Sequence, residues 1–215
     1  MDRIAARYWP AIFGYLRKSG RDHDTASDLT QGFICDVVVD GDLLERADPN
    51  RGRFRTLLLT SLRNYTIQRH RHAHRLKRRP DGGVASLDAV GTDHGVDVEG
   101  DPEAAFNAEW GRTLIRTVLA AASEECEASD LATHWAIFDA RVVRPLFQEV
   151  EPMPYADLVS KFALDDESQA ANMMVTAKRR FARALRMEIG RTVADPTEID
   201  AELNELMSSL GGSRS

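Results

Sequence analysis

Apolar residues recur at three- and four-residue intervals along most of the chain, the spacing that lines them up on one face of an α-helix. Ile4, Tyr8, Ile12, Tyr15 and Leu16 make one such stripe, which stops at Ser19-Gly20. Leu29, Phe33 and Val37 make a second before Gly41, and Leu57, Leu58, Leu62 and Tyr65 a third. Trp110, Leu114 and Val118 carry the pattern on, followed by Leu131, Trp135, Phe138 and Val142. No segment alternates with the period of two that a half-buried strand requires, and no internal repeat is visible. The pattern predicts an all-α protein.

One interruption divides it. "PDGGVASLDAVGTDHGVDVEGDP", Pro80 to Pro102, is rich in Gly and Asp and poor in large apolar residues, which predicts a flexible acidic linker over 81–105. Two helical domains, 1–80 and 106–191, are expected on either side, with an extension over 192–215. Within the second domain, "YADLVSKFALDDESQAANMMVTAKRRFARALR" reads as a short helix from Tyr155 to about Phe162, a tight break and a longer helix, the outline of a helix-turn-helix. Ala170, Met173, Met174, Ala177, Phe181 and Leu185 share the longer helix's inner face. Ser168, Gln169, Asn172, Thr176, Lys178, Arg179, Arg180 and Arg183 are the candidates for DNA contact. Amides and hydroxyls come first and cations later, an order that suits base edges followed by phosphates.

Charge sharpens this picture. The formal net charge is -6, yet residues 51–80 hold ten of the 28 Lys and Arg and not one Asp or Glu. From Asp81 to Glu109 there is no Lys or Arg, and a second basic cluster, Lys178, Arg179, Arg180, Arg183, Arg186 and Arg191, follows near the C-terminus. Two basic segments flanking an acidic one suit a polyanion held at two places. With 215 residues and 43% hydrophobic content, one large or two small cores are affordable. No apolar run approaches the roughly 20 residues that span a bilayer, and no basic, apolar leader opens the chain, so a cytoplasmic protein without membrane association is expected. Cys35 and Cys126 are too few for a disulfide framework,. Of His70, His72 and His74 only the first and last share a helical face, and flanking arginines repel a cation, so no metal or other cofactor is expected. No nucleophile set, phosphate loop or carboxylate pair in a recognisable context points to an enzyme.

Three motifs in order resemble extracytoplasmic-function (ECF) sigma factors, the two-domain promoter-recognition subunits of bacterial RNA polymerase. "SDLTQGFICDVV" (Ser27 to Val38) resembles the family's polymerase-docking helix, "GRFRTLLLTSLRN" (Gly52 to Asn64) the approach to its minus-ten helix, and "AKRRFARALR" the end of its minus-thirty-five helix-turn-helix. The resemblance covers roughly residues 5–190. It implies docking on the polymerase clamp through Asp24, Asp28, Gln31 and Asp36. It implies that the basic tract lies on minus-ten DNA, with Arg53, Arg55, Arg63, Arg69, Arg71, Arg75, Lys77, Arg78 and Arg79 on phosphates, Asn64 and Gln68 at base edges, and "ERADPNRGR" near an unstacked base. An anti-sigma protein is a further partner that the resemblance suggests, and the hydroxyl cluster Thr25, Ser27 and Thr30 suggests a Ser/Thr kinase. The chain departs from the family pattern at Ser27 and at Gly32, where an acid is usual. Thr25, Ser27 and Thr30 cluster there, and phosphate on one of them would restore negative charge, although capping of a helix start accounts for Thr25 and Ser27 as well. Two other functions stay open: a helix-turn-helix regulator acting without polymerase, and a helical adaptor for acidic proteins.

The extension has its own logic. In "ADPTEIDAELNELMSSLGG", Asp195, Pro196 and Glu198 fit a helix start and Gly211-Gly212 a stop,. Ile199, Leu203, Leu206 and Leu210 form a stripe on an otherwise acidic helix. Packing of that stripe on the protein's own helices is expected, where its acids would shield a basic surface.

Overall fold

A computed structural model describes residues 2–41, 43, 53–77, 100–193 and 195–211. All regular structure among them is helical: α1 (Asp2–Lys18), α2 (His23–Phe33), α3 (Phe54–Lys77), α4 (Pro102–Ala128), α5 (Ala132–Phe138), α6 (Arg144–Gln148), α7 (Tyr155–Phe162), α8 (Glu167–Gly190) and α9 (Ile199–Gly211). None of these helices is long and apolar enough to cross a membrane. The chain forms two compact units, Met1–Thr113 with Gly190–Ser215, and Leu114–Ile189. The expected linker lies almost wholly outside the described residues.

In the first unit, α1 buries Tyr8, Ala11, Ile12 and Leu16 and ends at Gly20, whose φ of 83° suits a residue without Cβ,. The amide of Arg21 reaches the Leu16 carbonyl and that of Gly20 the Arg17 carbonyl, the paired bonds that close a helix C-terminus. Asp22 then caps α2, accepting from the Thr25 amide and hydroxyl at 2.8 Å each. Those bonds hold the Asp22 carboxyl below its ordinary range, the backbone bond first,. α2 runs into a π-helical turn, Ile34–Val39. Phe33 of the expected stripe is buried, with Ala26, Thr30, Ile34 and Val38 beside it; Leu29 is half-buried, and the wider turn puts Val38 in place of Val37 on the inner face,. An aromatic cluster joins α1, α3 and α4: Tyr8 lies 5.4 Å from Phe54 and 5.5 Å from Trp110, and Phe106 lies 6.0 Å from Trp110,.

The acidic C-terminal helix α9 packs within this unit, as its stripe requires. Leu206 is buried, and Leu210 lies over Gly111, where a Cβ would meet the leucine at 3.2 Å.

The second unit is built on Leu114, Val118, Ala122 and Cys126 of α4 with Ile137, Phe138, Ala140, Leu158, Ala170, Ala177, Leu185 and Ile189. Met173 and Met174 pack against this core together with Tyr155 and Phe162. A second π-helical turn, Asp139–Val143, follows α5. It shifts the register so that Val142, expected on the inner face, is exposed. Ala163, at φ 51°, ends α7, and a short break leads to α8.

Leu158 is fully buried on α7, in one cluster with Ile137 of α5, Ala140 of the π-helical turn and Ala170 of α8. Leu158→Ala is expected to cost about 2–5 kcal/mol, read as a lowered denaturant midpoint with the helical circular-dichroism signal intact in buffer.

Candidate nucleic-acid interface

α3 sets out the basic tract in two tiers. Its first half buries Arg55, Leu58, Leu59, Leu62 and Tyr65 at helical spacing, and its outward positions include Asn64, Gln68 and Arg71, which share a face. Gln68 and Arg71 line an open groove of about 610 Å³ with Asp36, Val37, Tyr65, Arg69 and His72. Arg78 and Arg79 lie outside the described residues, as do the side chains of Arg75 and Lys77.

Several expected phosphate ligands are instead held by carboxylates of the same unit. Arg55 is 7% exposed. Its Nε donates to Glu202 Oε1 at 2.8 Å, its Nη2 to Glu202 Oε2 at 3.1 Å and Glu205 Oε2 at 2.7 Å, and its Nη1 to Asn107 Oδ1 at 2.5 Å. Arg53 donates to Glu205 at 2.5 Å and faces Glu202 at 3.1 Å and Glu198 at 3.6 Å. Arg63 pairs with Glu103. Arg69 donates to Asp36 at 2.7 Å and, through Nε, to the Tyr65 hydroxyl at 3.0 Å. In this conformation Arg53, Arg55, Arg63 and Arg69 neutralise the protein's own acids.

The electrostatics follow. The hydrogen bond from Arg53 holds the Glu205 carboxyl below its ordinary 4.5; burial opposes it, and the Arg55 hydrogen bond and the charges of both arginines add to the lowering. For Arg55, burial works against the charge, and the Glu202 and Glu205 carboxylates outweigh it, so the guanidinium is held more firmly protonated than usual,. Burial pushes the Tyr65 phenol up, opposed by Arg69.

Asp24, Asp28 and Gln31 are exposed at positions four and three apart on α2, so they form one acid-and-amide face. Asp36, the fourth docking residue, is half-exposed and paired with Arg69. Gly32 is explained by close approach: a Cβ there would lie 2.5 Å from the Tyr65 hydroxyl, so a larger residue would displace the tyrosine that bridges Asp36 and Arg69. Of the three hydroxyl candidates, Thr25 is exposed and bonded to the cap, Ser27 is half-buried, and Thr30 is buried with its hydroxyl donating to the Ala26 carbonyl at 2.7 Å. The Thr30 oxygen is closed to a modifying enzyme in this conformation.

The second unit presents α8 separately. Asp166 accepts from the Gln169 amide at 2.7 Å, and the Gln169 side chain accepts from the Asp165 amide at 2.7 Å. Gln169 thus fixes the helix start, and its amide oxygen is already used. Arg180 donates to Glu125 at 2.7 Å and Ser129 at 3.2 Å, and Arg183 to Glu125 at 2.5 Å, which ties both to α4. The Thr176 hydroxyl turns back to the Asn172 carbonyl at 3.0 Å. Ser168, Asn172, Lys178 and Arg179 are exposed, and among the described residues Lys178 and Arg179 make no ion pair. Val175, which the apolar pattern did not single out, is 38% exposed between Asn172 and Arg179 on the same stripe.

Compared with models of known families, with curated proteins and with solved structures, the chain matches none of them.

Because the folded Glu205 pKa is depressed, its contribution to stability is fully present above about pH 4.5 and is lost as the pH falls through the folded value,. The carboxylate is 54% exposed, so the pair with Arg53 is worth less than about 1 kcal/mol. Glu205→Gln is expected to lower the thermal midpoint by no more than about 2–4 °C at neutral pH. The gap between variant and parent should be constant above pH 4.5 and narrow as the pH falls below it in a pH series of melting curves,.

Proposed function

We propose that this protein is a promoter-recognition subunit of the sigma-factor type, docking on core RNA polymerase and reading promoter DNA with two helical units. The observation that carries the reading is the exposed stripe Ser168, Asn172, Val175 and Arg179 on α8, the longer helix of a pair joined by a tight, capped turn. Such a helix can lie in a major groove with a hydroxyl, an amide and an apolar methyl surface toward base edges and a cation toward phosphate. Asn172 would discriminate bases, because its amide donates and accepts together; Val175 would contact a thymine methyl; Arg179 and Lys178 would hold the backbone.

The first unit supports the same reading with two surfaces. The Asp24, Asp28 and Gln31 face of α2 would dock on a basic surface of polymerase, leaving Asn64, Gln68 and Arg71 of α3 to meet DNA. Such a subunit works by binding polymerase and DNA together and needs no catalytic group of its own. The internally paired arginines of α3 favour a second reading, in which much of the tract is structural and the protein is a helical adaptor; an adaptor would bind no DNA in a salt-dependent manner.

In vitro transcription with core polymerase on genomic fragments tests the proposal directly. Initiation at defined starts only when the protein is added is the expected result, and none above core enzyme alone would sink it. At the residue level, Arg179→Ala should weaken DNA binding by about tenfold regardless of sequence, whereas Asn172→Ala should change the element recovered in site selection. Asp28→Arg should abolish co-purification with core polymerase while leaving the helical content unchanged.

A further inference from the structure

The start of α3 is an anion site already filled from within. Arg53 and Arg55 stand at the first turn of a long helix, near the positive end of its dipole, and that turn contains no acid,. The Arg55 fork is used as it would be on a phosphate: Nε and Nη2 grip the two oxygens of Glu202, and Nη2 also reaches Glu205,. The oxygens of Glu198, Glu202 and Glu205 all come from one element or the turn before it.

On α9 Leu206 is buried and Ile199, Leu203 and Leu210 are half-buried, Met207 is 56% exposed, and the other deeply buried side chain is the charged Glu202. Part of what holds α9 is therefore charge pairing, and charge pairing can be exchanged for another anion. The segment before α9 is tied to the start of α3 by the Phe54 amide donating to the Thr192 carbonyl at 2.9 Å, and the Asp195 carboxylate caps the turn that follows, accepting from the Thr197 amide at 2.8 Å.

We propose that α9 masks a nucleic-acid phosphate site: Glu198, Glu202 and Glu205 occupy Arg53 and Arg55 in the free protein, and backbone phosphates replace them when the protein binds DNA. The proposal rests on the reading of the chain as a DNA-binding protein and adds that part of its affinity is withheld by its own C-terminal helix. Opening is uphill because Glu202 loses a buried partner. The mask therefore sets a threshold, and DNA held first elsewhere on the protein supplies the local phosphate concentration that crosses it.

The test uses the full chain and a fluorescent DNA duplex of mixed sequence, with anisotropy followed over a series of salt concentrations. Glu198→Gln with Glu205→Gln removes the two carboxylates that are 40% and 54% exposed and leaves buried Glu202 in place. This variant is expected to bind roughly three- to tenfold tighter at low salt, with a logarithmic salt slope steeper by about one, the increment for one added phosphate contact. Adding Arg53→Gln should return both to the parent's values. Glu149→Gln with Glu151→Gln, exposed in the other unit, makes the same change in net charge and should leave the slope unaltered. A parent-like slope in the α9 variant, or an equal gain in the Glu149 and Glu151 control, overturns the proposal while the DNA-binding reading stands. If no form binds DNA, that reading falls and the mask falls with it. Hydrogen exchange on the unaltered protein is independent of whether the variants fold: saturating duplex should speed exchange over residues 199–211, and unchanged or slower exchange there refutes the mask.

Discussion

A buried guanidinium determines how the first unit can close. Arg55 is surrounded by acceptors from two other helices, Asn107 on α4 and Glu202 and Glu205 on α9. Removing one partner of a buried pair of this kind costs about 3–5 kcal/mol, because the charge left behind has no water to turn to. The placement of α9 on the start of α3 is therefore dictated by Arg55 as much as by Leu206. The bond between the Phe54 amide and the Thr192 carbonyl and the approach of Leu210 to Gly111 are the packing consequences.

The same principle runs along α3. A tract with no acid of its own meets carboxylates brought by the fold at three levels: the α9 cluster at Arg53 and Arg55, Glu103 at Arg63, and Asp36 at Arg69. A segment that looks like a single positive block is thus divided into neutralised and outward-facing cations. On the proposed function this division matters more than the total charge. It leaves Arg71 with the amides Asn64 and Gln68 outward in the first unit, and Lys178 and Arg179 outward in the second. Exposed pairs such as Arg69 with Asp36 are worth little and are screened by salt, so their neutralisation is graded, whereas that of Arg55 is close to all-or-none.

Helical periodicity made most of the fold legible. Tyr8, Ile12 and Leu16, Leu58, Leu62 and Tyr65, and the inner face of α8 follow it closely because each helix there keeps a regular turn. The failures fall where the turn is not regular: the π-helical segments at Ile34–Val39 and Asp139–Val143 each accommodate an extra residue, so Val37 and Val142 leave the faces that a period of 3.6 assigns them. The α9 helix and its apolar stripe were also readable, since caps and stops are local signals. The partners of the charged residues were not. Arg55 and Glu202 lie 147 residues apart, and nothing in a run of arginines distinguishes a solvated member from one enclosed by a distant helix. Gln169 shows the same limit at short range: a side chain at the start of a helix can meet a ligand or cap the turn, and its hydrogen bond to the Asp165 amide decides between them only in three dimensions.

The first unit draws on residues before Thr113 and after Gly190, whereas the second is contiguous from Leu114 to Ile189. Synthesis from the N-terminus lets a contiguous unit fold as it emerges, but the first unit cannot complete its charge pairing until α9 has been made. Until then Arg53 and Arg55 lack the carboxylates of Glu198, Glu202 and Glu205, and a ribosome-bound nascent chain presents the unneutralised start of the basic tract beside an RNA-rich machine. Contacts so distant in sequence also carry the loop-closure entropy of everything between them. Charge compensation at the start of α3 is consequently a late event in biosynthesis, and a stalled or truncated nascent chain would differ from the finished one first in its affinity for ribosomal RNA.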